Sequence, residues 1–397
     1  MGFEVQTHRG ETFDSDEVMQ RLLKPEQRSQ IALATDMDYT MFDNDLGVLV
    51  FLEKLSDPSF WEFSKEEFSK LLLPKDYRDL IESGARGEFT GLPPTICRLT
   101  LDLFQDIGNL YDLQRRIKSG EGVDYETQVV NEFARKMLEF DNIFLILDPI
   151  LAEHFEGNLL SRTRFFAGKD PTKIRDMTRT VMQRGGSDIG RVIELKIHPE
   201  LKEPAHQIVS EERISDTYGR ESQFKSVDRL VVPILKVRDV VRQLISEQQI
   251  PGVIITANLW GIANQVIKHS PDFKFMTEQP YLAENNEELV IGSRLAEKEG
   301  KLATRLQGKP VFGPRKRLEA IHFAKRLNRK FTVAIGDSPT TDGPMMQTAL
   351  RQGGVAVVVG KTYEETRKKF DRVIQQVADS QNGQAVKVED RAFYISK

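Results

Sequence analysis

Four short runs constrain the fold of this chain more than anything else in it: IALAT at 31–35, GVIIT at 252–256, FTVAI at 331–335 and GVAVVV at 354–359. None alternates polar with apolar, which is the pattern of strands covered on both faces of a parallel sheet. Helical periodicity fills the intervals, at 237–246 ahead of GVIIT, 316–327 ahead of FTVAI and 364–378 after GVAVVV. Strand and helix therefore alternate, and this predicts an α/β fold with a doubly wound parallel sheet.

Residues 51–228 follow another pattern. FSKEEFSKLL, TICRLTLDLFQDIGNLYDLQRRI, ETQVVNEFARKMLEF and PTKIRDMTRTVMQR all carry the helical period, with GLPP, SGEG and RGGSD as turn signals between them. A chain of 397 residues is more than one hydrophobic core usually serves. We therefore expect a discontinuous α/β core over 26–50 and 229–397, a mostly helical insertion over 51–228, and an N-terminal extension over 1–25.

Composition removes several classes of function. Apolar residues make up 39% and charged residues 29%, the balance of a globular chain. The net charge of −4 gives no global basic field for nucleic acid, so any anion must be captured locally. Cys97 is the single cysteine, which excludes an intramolecular disulfide and suits a reducing compartment. The charged N-terminus lacks the apolar core of a signal peptide, Gln6 departs from a myristoylation signal, and no apolar run is long enough to span a membrane. A cytoplasmic location without membrane partners is the expectation.

The polar residues that end the predicted strands are unusual. ATDMDYTMFDND at 34–45 places Asp36, Asp38, Asp43 and Asp45 directly after the first strand. The second strand ends in Thr256, the third in Gly336-Asp337 with Asp342 following, and Lys316 opens the helix between them. In an open α/β sheet these strand ends face one crevice, where ligands bind. Asp36 and Asp38 reach it together if the strand persists through them, because residues two apart point the same way. Like charges about 4 Å apart cost on the order of 4 kcal/mol per pair at an effective dielectric near 20, so such a cluster needs a cation. Hard oxygen ligands suit Mg²⁺. The rival explanation, that each aspartate is a helix cap or turn residue, serves any one of them but not the set.

DMDYT, VIIT, the helix-opening Lys316 and GDSPTTD resemble, in order, the motifs of the haloacid dehalogenase (HAD) superfamily of phosphohydrolases. The segments VIGSRLAEKEGKLATRLQGKPVFGPRKRLEAI and FFAGKDPTKIRDMTRTVM are similar to parts of its phosphoserine-phosphatase-like members, while residues 91–157 show no close match. The resemblance implies a HAD-type core with a large helical cap inserted after the first motif strand. It implies Asp36 as nucleophile, Asp38 as general acid and base with a raised pKa, and Thr256 and Lys316 as phosphate ligands, Lys316 also keeping Asp36 ionised. Mg²⁺ would be bound by Asp36, Asp337 and the backbone carbonyl of Asp38, with Asp342 a further candidate that would orient Lys316 or a metal-bound water. The implied activity is hydrolysis of a small phosphate monoester through an aspartyl-phosphate. A HAD-type phosphotransferase or mutase, and a catalytically silent binding or regulatory protein, remain alternatives.

Two residues bear on the substrate. Asp45, nine places after Asp36, matches the position at which phosphoserine phosphatases meet a substrate ammonium, which implies an amino-bearing ester such as phosphoserine or phosphocholine. Arg98, eleven places after Gly87, matches weakly their substrate-carboxylate arginine, although Pro93 and Pro94 interrupt the helix expected there. Phe60, Trp61 and Phe63 could line a pocket for a quaternary ammonium, or simply belong to a core.

Overall fold

The computed structural model describes residues 4–14, 25–42, 45–55, 57–120, 166–184, 236–280, 289–380 and 388–396, with residues 129–130, 132–137, 139–140, 143–144 and 147. The chain divides into two compact units, one made of residues 1–46, 232–293 and 310–397 and the other of 47–231 and 294–309. The strands are β1 (Glu4–Thr7), β2 (Thr12–Asp14), β3 (Ile31–Thr35), β4 (Gly252–Leu259), β5 (Val290–Ser293), β6 (Leu295–Lys298), β7 (Lys301–Leu306), β8 (Lys330–Gly336), β9 (Val355–Gly360) and β10 (Ala392–Ser396). The helices used below are α1 (Leu46–Lys54), α2 (Lys65–Leu72), α3 (Lys75–Ala85), α4 (Pro94–Lys118), α5 (Pro171–Arg184), α6 (Val237–Arg242), α7 (Trp260–His269), α8 (Pro314–Arg326), α9 (Gly343–Arg351) and α10 (Tyr363–Ser380).

The first unit is a mixed α/β structure on an eight-stranded sheet of order β2-β1-β10-β9-β8-β3-β4-β5. From β10 to β5 every pairing is parallel, and only the β1–β2 hairpin is antiparallel to its neighbours. The chain order reverses at β3: β4 and β5 extend the sheet to one side, β8, β9 and β10 to the other. Such a reversal opens a crevice at the strand ends. Residues 4–14, expected within an extension, instead form the outer hairpin of this sheet.

The apolar runs are buried for the reason their composition suggests. β3 is covered along its whole length. Ala32, Ala34, Ala334 and Ala356 pack with Ala320 and Phe323 of α8, Met345 and Met346 of α9, and Phe370 and Val373 of α10. Gly354 has no room for a side chain, since a Cβ there would lie 1.9 Å from the Thr332 carbonyl oxygen. Proline at the start of α8, where its missing N–H has no intrahelical partner in any case, favours a helix that begins two residues before Lys316.

The second unit contains α2 to α5 and the β6–β7 hairpin, which the sequence analysis had grouped with the core. Ser64 and Glu67 form a reciprocal capping box at α2. Pro93 and Pro94 do not interrupt a helix but start one, α4, at its N-cap and first turn. Phe60, Trp61, Phe68, Tyr111 and Phe133 form an aromatic core; Phe68 and Tyr111 stack with centroids 3.9 Å apart. The Tyr111 hydroxyl donates to the Phe60 carbonyl at 2.9 Å and the Trp61 indole N–H to that of Leu55 at 3.0 Å. Phe60 and Trp61 are thus core residues, not an open cage. The ETQVVNEFARKMLEF helix, the segment 91–157 and residues 185–228 fall partly or wholly outside the described residues. No helix among the described residues is long and apolar enough to cross a membrane.

Candidate active site

All the polar residues predicted at strand ends belong to the first unit, and the structure draws most of them together. β3 ends at Thr35, so the strand does not persist through Asp36 and Asp38. The chain turns instead: the N–H of Met41 donates to the Met37 carbonyl at 2.8 Å, and Tyr39 takes a φ of 55°. That left-handed conformation costs a non-glycine residue roughly 1–2 kcal/mol, and it is held here because Tyr39 is 2% exposed. β3 ends before both aspartates, so strand periodicity is not what places Asp38, although its charge still acts on Asp36.

Asp36 follows β3, Asp337 follows the adjacent β8, and Asp342 is the residue before α9. One carboxylate oxygen from each lies within 4.8 Å of the others, and all three residues are buried. Lys316, in the first turn of α8, enters from below with no exposed surface. Its Nζ is 2.7 Å from Asp342 Oδ1 and 2.8 Å from Asp36 Oδ1. The second contact is an ion pair, and Asp36 Oδ1 has no further donor. Asp342 Oδ2 accepts the backbone N–H groups of Asp337 and Ser338, both at 3.1 Å. Gly336 makes this possible, because a Cβ there would stand 2.5 Å from Asp342 Oδ2.

Burial alone would drive a proton off Lys316, but Asp342 and Asp36 outweigh it and hold the ammonium charged well above the usual lysine range. Burial also lifts Asp36 well above the ordinary carboxylate range, reinforced by Asp342; the pull of Lys316 lowers it without cancelling those effects. Lys316 thus offsets part of that rise. A cation among the carboxylates would act in the same direction as Lys316. The donor set suits one: buried, hard carboxylate oxygens, of which Asp36 Oδ1 has no donor beyond Lys316.

Asp38 is partly buried and held by three donors. The N–H of Leu46, first residue of α1, donates to Oδ1 at 2.9 Å; Thr256 Oγ1 and Asn258 Nδ2 donate to Oδ2, each at 3.2 Å. Burial and then the charge of Asp45 push its carboxyl up to about 7, with the three donors pulling it down. Thr256 lies inside β4, which continues to Leu259, and not at its end. The pairing of β4 with β5 shifts between Ile255 and Leu259, and this irregularity turns Thr256 and Asn258 toward Asp38.

Asn258, two residues past the VIIT motif, escaped the sequence reading because it carries no charge to mark it. Gly336 lies inside the quoted GDSPTTD but was assigned no role. Thr40 closes the DMDYT motif, and its Oγ1 donates to Asp337 Oδ1 at 3.3 Å. Asp45 is near enough to act on Asp38, whereas Asp43 lies outside the described residues. Arg98 belongs to the other unit, is exposed, and donates through Nε to the Pro94 carbonyl of its own helix.

No protein-family model matches the chain, and no curated protein matches it. Among solved structures it is similar to a conserved, functionally unknown protein from Anaerococcus prevotii DSM 20548, with a TM-score of 0.52 and 13% identity over 94% of this chain and 89% of that one. A protein of unknown function from Bordetella pertussis Tohama I aligns at 12% identity over 86% of this chain and 96% of that one, with a TM-score of 0.35. The first likeness concerns the fold alone.

Proposed function

We propose that the chain is a Mg²⁺-dependent phosphomonoesterase of the haloacid dehalogenase type, its sheet unit serving as the core and the helical residues between β3 and β4 as the cap. One observation carries this reading: the buried carboxylates of Asp36, Asp337 and Asp342 cluster where the strand order reverses, and two of them, Asp36 and Asp342, pair with the ammonium of Lys316. Asp36 attacks phosphorus through a carboxylate oxygen as the ester P–O bond breaks, and Asp38 gives its proton to the departing alkoxide. Asp38 then takes a proton from the water that splits the aspartyl-phosphate, which releases inorganic phosphate and restores both carboxyls. Lys316 binds phosphoryl oxygen, and Thr256 does so by turning its hydroxyl from Asp38. Asp36, Asp337 and the Asp38 carbonyl would hold a cation, which would offset the repulsion between carboxylates and a phosphate dianion.

The substrate in this reading is a small phosphate ester, and the charge of Asp45 close to Asp38 favours one that carries an amino group. Support for a quaternary ammonium is weaker, because the Phe60 and Phe63 faces are already covered by the chain's own Lys54 and Lys169. The test is a panel of p-nitrophenyl phosphate, phosphoserine, phosphocholine, sugar phosphates and nucleotides with Mg²⁺, read as phosphate released and as phosphoryl transferred to added alcohols. Asp36→Asn, which keeps the shape and removes the nucleophile, should lower kcat by about a thousandfold or more. Turnover near the unsubstituted level in that variant would overturn the assignment.

A further inference from the structure

Among the described residues outside this site, Lys54, the last residue of α1, is a fully buried lysine. Its side chain is 0% exposed, and its Nζ has no hydrogen-bond partner. An ammonium carries three donors and no acceptor, so full burial leaves it unsatisfied. What surrounds it is aromatic: the Phe166 ring centroid is 4.3 Å from Nζ and that of Phe60 is 5.7 Å away. Two neighbouring segments and one distant in sequence meet here. Phe60 comes from the turn Pro58–Trp61, which Asp57 caps through the Ser59 N–H at 2.9 Å. Phe166 opens a turn that is tied to β7 by the Gly168 N–H on the Leu302 carbonyl at 2.7 Å and the Leu302 N–H on the Lys169 carbonyl at 3.0 Å.

The charged groups acting on Lys54 from these segments are Lys169 and Asp57. Burial depresses its proton affinity most, Lys169 adds to this, and Asp57 opposes it, leaving the group well below the usual lysine range. Lys169 is itself satisfied by the carbonyl and hydroxyl of Ser59, at 3.3 and 3.2 Å.

We propose that Lys54 is an uncharged amine sealed at the junction of α1 with the turns carrying Phe60 and Phe166, and that its protonation parts this junction, so that acidification loosens the helical unit. The inference is independent of the catalytic reading. An unfolded lysine titrates near about 10.4, so between that value and the lower folded midpoint the unfolded chain binds more protons. Stability is then complete above about pH 10.4 and declines as the pH falls toward the folded midpoint, by up to about tenfold in the opening constant per pH unit.

The experiment uses the full chain with ¹³Cε-labelled lysine, and follows the Lys54 resonance by NMR between pH 6 and 11. A midpoint below those of the other lysines is expected, moving up in Lys169→Met and down in Asp57→Asn. A midpoint at the ordinary lysine value overturns the proposal. Loosening is read separately, as amide exchange at Gly168 and Leu302 after correction for intrinsic rates. Protection should fall as the pH drops from about 10.4 toward the Lys54 midpoint in the unsubstituted chain, level off below it, and stay level throughout in Lys54→Met. Protection that is independent of Lys54's charge overturns the switch even where the amine proves neutral. The resonance readout needs no variant, so poor folding of Lys54→Met leaves the test intact.

Discussion

Replacing Lys316 with Met keeps the buried stem and removes the charge that Asp36 and Asp342 share. The two ion pairs, at 2.8 and 2.7 Å, are each worth about 6 kcal/mol of gross attraction at an effective dielectric near 20. Most of that offsets the desolvation of groups whose side chains are 1%, 8% and 0% exposed. What remains after one partner is deleted from such a buried set is a loss of about 3–5 kcal/mol, because Asp36 and Asp342 are left uncompensated. Each unit carries one tryptophan, Trp61 in the helical unit and Trp260 at the start of α7. Urea unfolding of a Trp61→Phe background, followed by Trp260 fluorescence in the presence of a chelator, therefore reports the sheet unit by itself. The midpoint should drop by the stated free energy with the slope unchanged. Adding Asp342→Asn to Lys316→Met should recover part of the loss, since it removes a repelling charge while keeping a side chain of the same shape. A loss below about 1 kcal/mol for Lys316→Met would mean that the carboxylates are not charged and packed as the geometry requires.

Other perturbations address single parts of the site. Gly336→Ala pushes Asp342 off the Asp337 and Ser338 amides and should cost roughly 1–3 kcal/mol in the same unfolding assay; a neutral effect contradicts the packing described. Mg²⁺ at about a hundred times its dissociation constant should stabilise the chain by about 2.7 kcal/mol, and Asp337→Asn should abolish the shift in melting temperature. Asn258→Ala removes one donor from Asp38 and, at about 1 kcal/mol for a hydrogen bond, should lower kcat several-fold with little change in KM. An unchanged kcat would reduce Asn258 to a structural role. Asp45→Ala should raise KM for amino-bearing esters well beyond any change for neutral ones, and equal changes in both classes refute ammonium recognition.

The strands at the centre of the sheet were legible because burial on both faces writes itself into a continuous apolar run. The edge was not. β1, β2 and β10 are short, and β1 owes its place to pairings such as Gln6 with Tyr394 and to His8 Nδ1 lying 2.7 Å from the Tyr394 hydroxyl, across 386 residues of chain. No local window contains that information. At the site, residue types with a charge were found and neutral supports were not: Asp36, Asp337 and Lys316 stand out in a sequence, whereas Asn258 matters only because β4 shifts register beside it. Strand period does not place Asp38, since β3 ends at Thr35 and a turn with a left-handed Tyr39 follows.

Lys54 and Lys316 carry the same argument to its limit. Both are helix-terminal lysines with no exposed surface, and nothing in their immediate sequence separates them. Burial acts on each in the same direction, against the charged form. Lys316 meets two carboxylates delivered by β3 and by the residue before α9, and keeps its proton. Lys54 meets two phenyl rings, whose attraction for a cation reaches about 2 kcal/mol at best, against a desolvation penalty of several kcal/mol for an ammonium. For Lys316 those carboxylates come from 26 and 280 residues away; Lys54 lies against one near neighbour, Phe60, and one partner, Phe166, from more than a hundred residues away. The charge state of each lysine is therefore set by what the fold adds to its local sequence.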